Sequence, residues 1–422
     1  MQTLTGAAFA ARPQLRECPG CGLIQTVPAL RPGMVAQCVR CPTTLRSTSR
    51  HRFDHLIALS LAALTLLVIM SSTQLMSVEK AGIFHVAGLF SGPEELLRQN
   101  MAELAAVVVF VTVIAPFVRI FGTFYVLVRA HESAPPNHLR RVFAFVEEMR
   151  PWSMLDVFIF GVFVAYTKLG DLVTISVLNG LYALLALTFL LIWMDAALDR
   201  ETVWEELDAR ANRDDTPFDL SHAVSCHTCR LVSTPHEHEA RCPRCGSRLH
   251  ARKPNSIART WALIIASAIF YIPANYYPVL TVMQLGAGLP STILGGVEEL
   301  LHARQYPLAA LVFFASIAVP MLKLIGLAVM LISVQIGRAG WLRDRTRLYH
   351  IVRFIGRWSM IDIFMESLLG ALVVFGSVIT IRPGVGALAF CAVVILTMFA
   401  AETFDPRLMW DAASRRAEAT AT

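Results

Sequence analysis

The chain has 422 residues, 55% hydrophobic and 16% charged, with a mean hydropathy of +0.55 and a formal net charge of +6. Soluble domains carry about a quarter charged residues and space their apolar ones at helix or strand periods, whereas here they gather in blocks of roughly 20, the length that spans a hydrocarbon core. An ordinary soluble globule is excluded, and the surplus Lys and Arg marks membrane topology, with no nucleic-acid partner expected.

In chain order, residues 1–50 are polar and carry two Cys-x-x-Cys pairs, Cys18/Cys21 and Cys38/Cys41. Four thiolates brought together in this way make the closed tetrahedral site of a structural zinc ribbon. There is no apolar core before Leu56, so no cleavable signal peptide is predicted and the first block, 56–76, is expected to insert as a true span. Blocks at 101–128, 152–166 and 172–198 complete a first bundle over 51–205. Residues 206–253 repeat the cysteine pattern with Cys226/Cys229 and Cys242/Cys245, a second ribbon with 12 residues between its pairs against 16 in the first. Blocks at 257–275, 307–336, 359–381 and 385–401 build a second bundle over 254–410, and 411–422 is a polar tail. The predicted fold class is therefore an all-α polytopic membrane protein, with about eight transmembrane helices in two homologous bundles and two small β zinc ribbons. One Zn²⁺ per ribbon is expected; rubredoxin-type iron uses the same ligands and ranks second. His227, His236 and His238 read as surface residues of the second ribbon, and Cys391 as packing in the last block.

Orientation follows from arginine placement. Arg129, Arg140, Arg141 and Arg150 separate blocks two and three, and six arginines from Arg338 to Arg357 separate blocks six and seven, while 77–100 and 281–305 are nearly free of them. Arginine-rich loops stay inside, which predicts cytoplasmic ribbons and termini. The halves repeat: Gly92-Pro-Glu-Glu-Leu-Leu97 returns as Gly296-Val-Glu-Glu-Leu-Leu301, and Pro116 and Arg119 return as Pro320 and Lys323. Trp152-Ser-Met-Leu-Asp156 returns as Trp358-Ser-Met-Ile-Asp362, and Asp199 and Trp204 as Asp405 and Trp410. An even number of spans per half makes these parallel repeats.

An ionisable group in hydrocarbon costs at least ~2.5 kcal/mol and needs a partner or a wet cavity. Lys323 is expected to pair with Asp362, and Arg119 with Asp156. Ser316 shares a helical face with Lys323, Ser359 shares one with Asp362, Thr397 lies at similar depth, and Glu366 follows Asp362 by one turn. Such a chain of amine, carboxylate and hydroxyls suits a proton relay or gate, and equally a structural salt bridge. Arg119–Asp156 reads as structural, because arginine does not release its proton.

The paired ribbons, the duplicated four-span bundles and the Trp-Ser-Met-hydrophobic-Asp repeats together resemble the paraquat-inducible protein A family of bacterial inner-membrane proteins. The resemblance implies a periplasmic MCE-domain partner forming a hydrophobic tunnel, and a membrane subunit that loads phospholipid into that tunnel or takes it out. It also implies that Ser316, Lys323, Ser359, Asp362 and Thr397 are the functional cluster. No enzyme activity is expected, and no Gly-x-x-x-x-Gly-Lys-[Ser/Thr] loop occurs, so energy would come from protons, a separate ATPase or lipid flow. The competing readings are a passive anchor for the partner and a membrane redox protein with ribbon-bound metal.

Overall fold

The computed structural model describes residues 14–48, 53–80, 83–130, 132, 136, 138–170, 173–209, 223–234, 241–284, 287–373 and 379–421. His236 and His238 lie outside them. The first half opens with two hairpins, β1 Gln14–Glu17 with β2 Ile24–Val27, and β3 Val35–Gln37 with β4 Thr44–Ser47. Then come α1 Phe53–Ser72, β5 Gln74–Lys80, β6 Ile83–Gly88, α2 Ser91–Arg98, α3 Ala102–Val109, α4 Ala115–Ala130, α5 Leu139–Met149, α6 Leu155–Leu169, β7 Thr174–Val177, α7 Asn179–Ala197 and α8 Arg200–Ala209. The second half repeats the order: β8 Val224–Ser225, β9 Val232–Ser233, α9 Ser256–Tyr276, β10 Leu280–Gln284, β11 Ala287–Ser291, α10 Ile293–His302, α11 Tyr306–Phe313, α12 Val319–Ile336, α13 Leu342–Gly356, α14 Ile361–Leu372, β12 Ile379–Pro383, α15 Val385–Thr403 and α16 Arg407–Ala421. The polar stretch at the C-terminus is thus helical through Ala421.

Among the described residues, seven helices are long and apolar enough to cross a membrane, and the chain is a multi-pass membrane protein. The span expected over 359–381 takes a different form. Its helical part, α14, has 12 residues and so reaches about 18 Å, short of the ~30 Å hydrocarbon core. Every residue from Ile361 to Gly370 is buried, because α14 packs centrally against α6, α2 and α3, and β12 begins at Ile379.

Away from the ribbons, each half carries a three-stranded antiparallel cap. The hairpin after the first long helix is joined by the strand after the third, in the orders β6-β5-β7 and β11-β10-β12. The registers coincide: Val78 pairs with His85 and Ile175, and its counterpart Val282 pairs with Leu289 and Ile381. Both halves also contain a π turn one turn before the proline, at Phe110–Ile114 and Phe314–Ala318. Proline has no N–H, and its ring collides with the carbonyl four residues back. Widening that turn by one residue moves the carbonyl aside without breaking the helix.

The halves meet along α6 and α14, where Phe158 and Phe364, equivalent positions of the repeat, stack edge to face at 5.4 Å. The repeated tryptophans serve the same seam: Trp152 packs on Phe399 at 5.3 Å and Trp358 on Phe160 at 4.9 Å. Each tryptophan therefore reaches into the opposite half.

The ribbons are exchanged between the halves. Cys18, Cys21, Cys38 and Cys41 share a core with Met330, Tyr349 and Trp410 of the second half. Cys226, Cys229, Cys242 and Cys245 share one with Phe143, Trp204 and Leu207 of the first. Equivalent knuckle arginines make equivalent contacts, Arg40 lying over the Trp410 ring at 4.3 Å and Arg244 over Trp204 at 5.9 Å. Glu17 fastens the exchange by pairing with both Arg252 at 3.0 Å and Arg407 at 2.9 Å, while Arg16 to Glu201 and Arg46 to Glu205 at 3.0 Å also tie the first ribbon to α8 of its own half. Burial alone would raise the Asp405 carboxyl, but hydrogen bonds from Arg407 outweigh it and hold it below the usual carboxylate range.

Candidate functional site

Two kinds of site are present. The ribbons bring each set of four cysteines together, with all four sulfurs of a cluster within 4.8 Å of one another. Cys18 and Cys41 Sγ stand 3.4 Å apart, Cys21 and Cys38 3.6 Å, Cys226 and Cys245 3.5 Å, and Cys229 and Cys242 3.4 Å. Thiolates bound about 2.3 Å from a tetrahedral metal sit about 3.8 Å apart, so the donor sets fit Zn²⁺. The turns supply N–H groups to sulfur, Gly20 N to Cys18 Sγ and Arg40 N to Cys38 Sγ, each at 3.4 Å. With four thiolates per cluster, all of them buried, no position is left for substrate. His227 is exposed and meets Arg407 Nη2 at 3.2 Å, outside the cluster.

The second site lies in the second bundle and differs from the expected pairing. Lys323 is 1% exposed and donates from Nζ to Thr397 Oγ1 at 2.9 Å, and Thr397 passes its own hydrogen to Val394 O. Among the described residues no ion pair joins Lys323 to Asp362. The reason is depth: Ser316 precedes Lys323 by two turns, about 10 Å along the axis, and it is Ser316, not Lys323, that shares a cavity with Asp362. Ser359 is fully buried, and its hydroxyl makes no hydrogen bond. The five residues thus split into a Lys323–Thr397 pair, a Ser316–Asp362 cavity, and Ser359 one turn before Asp362.

That cavity has a volume of about 40 Å³ and is roofed by Leu280 of the cap and by Thr292 and Gly296 at the start of α10. Its charged lining includes two residues beyond the five, Glu366 and Lys168. The Asp362 Oδ2 and Glu366 Oε2 atoms are buried and make no hydrogen bond. Lys168 arrives from α6 of the opposite half. It follows the third apolar block and reads in sequence as an interfacial lysine, so only the packing of α6 on α14 reveals it.

Arg119 departs from expectation as well. Its partner is Asp195 of α7, which Arg150 also reaches at 3.0 Å, while Asp156 makes no ion pair among the described residues. A sequence signal existed: Asp195 is the charged residue inside the fourth apolar block and needed a partner of its own. This pair abuts a polar cleft at the ribbon end lined by Arg46, Arg200, Glu201 and Arg230.

Comparison with known proteins bears on what these sites belong to. The model of the family described as paraquat-inducible protein A matches residues 53–208 and 257–414, one match per bundle. The chain belongs to the paraquat-inducible protein A family. It is 33% identical over 400 residues to the "Intermembrane transport protein PqiA" of Escherichia coli (strain K12), covering 93% of this chain and 95% of that one. It is 30% identical over 401 residues to the "Lipophilic envelope-spanning tunnel protein A" of the same organism, covering 95% and 92%. A "Probable intermembrane transport protein" of Haemophilus influenzae is 28% identical over 403 residues, covering 94% and 96%. No solved structure matches the chain. Two of these relatives are named as transport proteins, one as a tunnel protein and none as an enzyme.

Proposed function

We propose that this chain is the inner-membrane subunit of an intermembrane lipid-transport system, passing phospholipid to or from a periplasmic tunnel of MCE domains without covalent catalysis. The ribbons and both termini then lie in the cytoplasm and the caps face the periplasm, as the arginine-rich segments require. Both cysteine clusters hold Zn²⁺ and stiffen the cytoplasmic end.

The observation that carries the reading is the enclosed Lys323–Thr397 pair beside a cavity where two acids each keep one buried oxygen without a donor. A passive anchor has no use for a buried lysine whose amine meets only a hydroxyl, and an apolar residue there would cost less. Lysine releases a proton when desolvated, whereas the arginine at the equivalent position in the first half does not. Proton release and uptake at Lys323, with Thr397 accepting from its amine, supplies a step by which the second bundle changes state, and the first bundle, with Arg119 clamped by Asp195, stays fixed. The relatives' names, intermembrane transport and envelope-spanning tunnel, support the same direction.

The test is Lys323→Met. It is expected to insert, fold and bind its partner normally but to abolish outer-membrane barrier function in cells lacking the wild-type chain. Normal barrier function in that variant would remove the relay and leave the anchor reading.

A further inference from the structure

The cavity under the second cap exists because the repeat is broken there. In the first half, Gly92 of α2 sits directly on Ser367 of α14, with no room for a Cβ. Its counterpart Gly296 in α10 lines the cavity, and a Cβ there would meet nothing nearer than Ser291 Oγ at 3.6 Å. The acids are as asymmetric as the space, since the position equivalent to Glu366 is Phe160.

Asp362 and Glu366 are each only 5% exposed, both line the cavity, and each has one buried oxygen with no hydrogen-bond donor. Lys168 faces them from the opposite half. Buried acceptors without donors are strongly disfavoured, so an occupant that donates is favoured. Two carboxylates against one ammonium also leave the ionised cavity one positive charge short. A volume of about 40 Å³ holds only a few non-hydrogen atoms.

We propose that this cavity recognises the primary ammonium of a phosphoethanolamine headgroup, with Asp362 and Glu366 accepting its N–H groups and Lys168 facing the phosphate. The inference rests on the transport reading and names the lipid class selected. A –CH₂–NH₃⁺ terminus supplies three donors and the missing charge. A trimethylammonium has no N–H and is bulkier, and a glycerol head brings donors but no charge.

The test uses the full-length protein in nanodiscs and native mass spectrometry with five lipids of identical acyl chains: phosphatidylethanolamine, its N-methyl and N,N-dimethyl forms, phosphatidylcholine and phosphatidylglycerol. Affinity is expected to fall stepwise with N-methylation, at least tenfold from the primary amine to choline. Glu366→Gln is expected to bring ethanolamine and choline lipids within twofold of each other, and Glu366→Asp to keep most of the preference. Lys168→Met is expected to weaken both alike and leave their ratio unchanged. Equal wild-type affinity for the two lipids, or a preference surviving both Glu366→Gln and Asp362→Asn, overturns the proposal while the transport reading stands. A preference abolished by sodium at constant ionic strength assigns the carboxylates to an inorganic cation and also overturns it. Failure to bind any of the five lipids would instead remove the transport reading itself.

Discussion

Arg119 and Lys323 occupy the same place in the repeat, yet their surroundings assign them different work. Arg119 is 6% exposed and held by Asp195, whose own side chain is 34% exposed and shared with Arg150. Breaking a fully buried pair costs about 3–5 kcal/mol, and the partial exposure of Asp195 brings this to about 2 kcal/mol. Asp195→Asn is therefore expected to lower the thermal midpoint in detergent by several degrees, because it strands the arginine. The double variant Arg119→Leu with Asp195→Leu is expected to recover the share of the loss that comes from Arg119 but not the share from Arg150, and a double-mutant cycle measures the coupling. Coupling below about 0.5 kcal/mol would mean that Arg119 is solvated from the ribbon-end cleft instead. The residue types of the polar cluster were legible in the sequence, because charges inside apolar blocks are conspicuous. Their partners were not, since helical periodicity gives the face of a residue but not the helix opposite it. Lys323 meets Thr397 rather than Asp362, and Asp362 shares its cavity with Lys168 from 194 positions away.

Among the elements, α14 departs furthest from its hydropathy. The seventh block reads as a span like the others, but the helix it forms is shorter and enclosed by protein instead of lipid, and apolar residues suit both settings. The decision rests on small residues that let α6 and α14 approach. A Cβ at Gly161 would come within 2.7 Å of Phe364 Cβ and 3.4 Å of Ile361 O. Overpacking of this kind costs about 1–3 kcal/mol, and the edge-to-face contact of Phe158 with Phe364 adds about 0.5–1.5 kcal/mol to the seam. Gly161→Ala is expected to lower the melting temperature in detergent and to weaken both halves together, since α14 is enclosed by elements of each. An unchanged midpoint would show that α14 shifts freely. The π turns belong to this scale too. Pro116 and Pro320 announced an irregularity, and both halves resolve it with one inserted residue, which carries Thr112 and Ser316 to equivalent buried positions.

Over the whole molecule, the exchanged ribbons tie the halves into one body, and metal loss in one ribbon should be felt in the opposite bundle. Cys38→Ser is expected to raise hydrogen exchange in α13 and α16, which lie against the first ribbon, while α5, which lies against the second, stays protected. Cys242→Ser is expected to do the reverse. Increased exchange confined to the half that follows the mutated ribbon in sequence would contradict the exchange of ribbons. The purified protein is expected to be colourless, with two zinc ions per chain by elemental analysis, and visible absorption would assign iron instead. The sequence by itself determined the membrane class, the duplication, the two four-cysteine clusters and the types of polar residue in the bundle. Each of these is a matter of composition, spacing or period, carried within a few dozen residues. Only the tertiary structure decided that each ribbon serves the other half, that the seventh block makes a short central helix, and that Lys168 joins Asp362 and Glu366 around one cavity. Those outcomes depend on which surfaces fit across about 200 positions of chain, and packing complementarity at that separation leaves no periodic trace in the sequence.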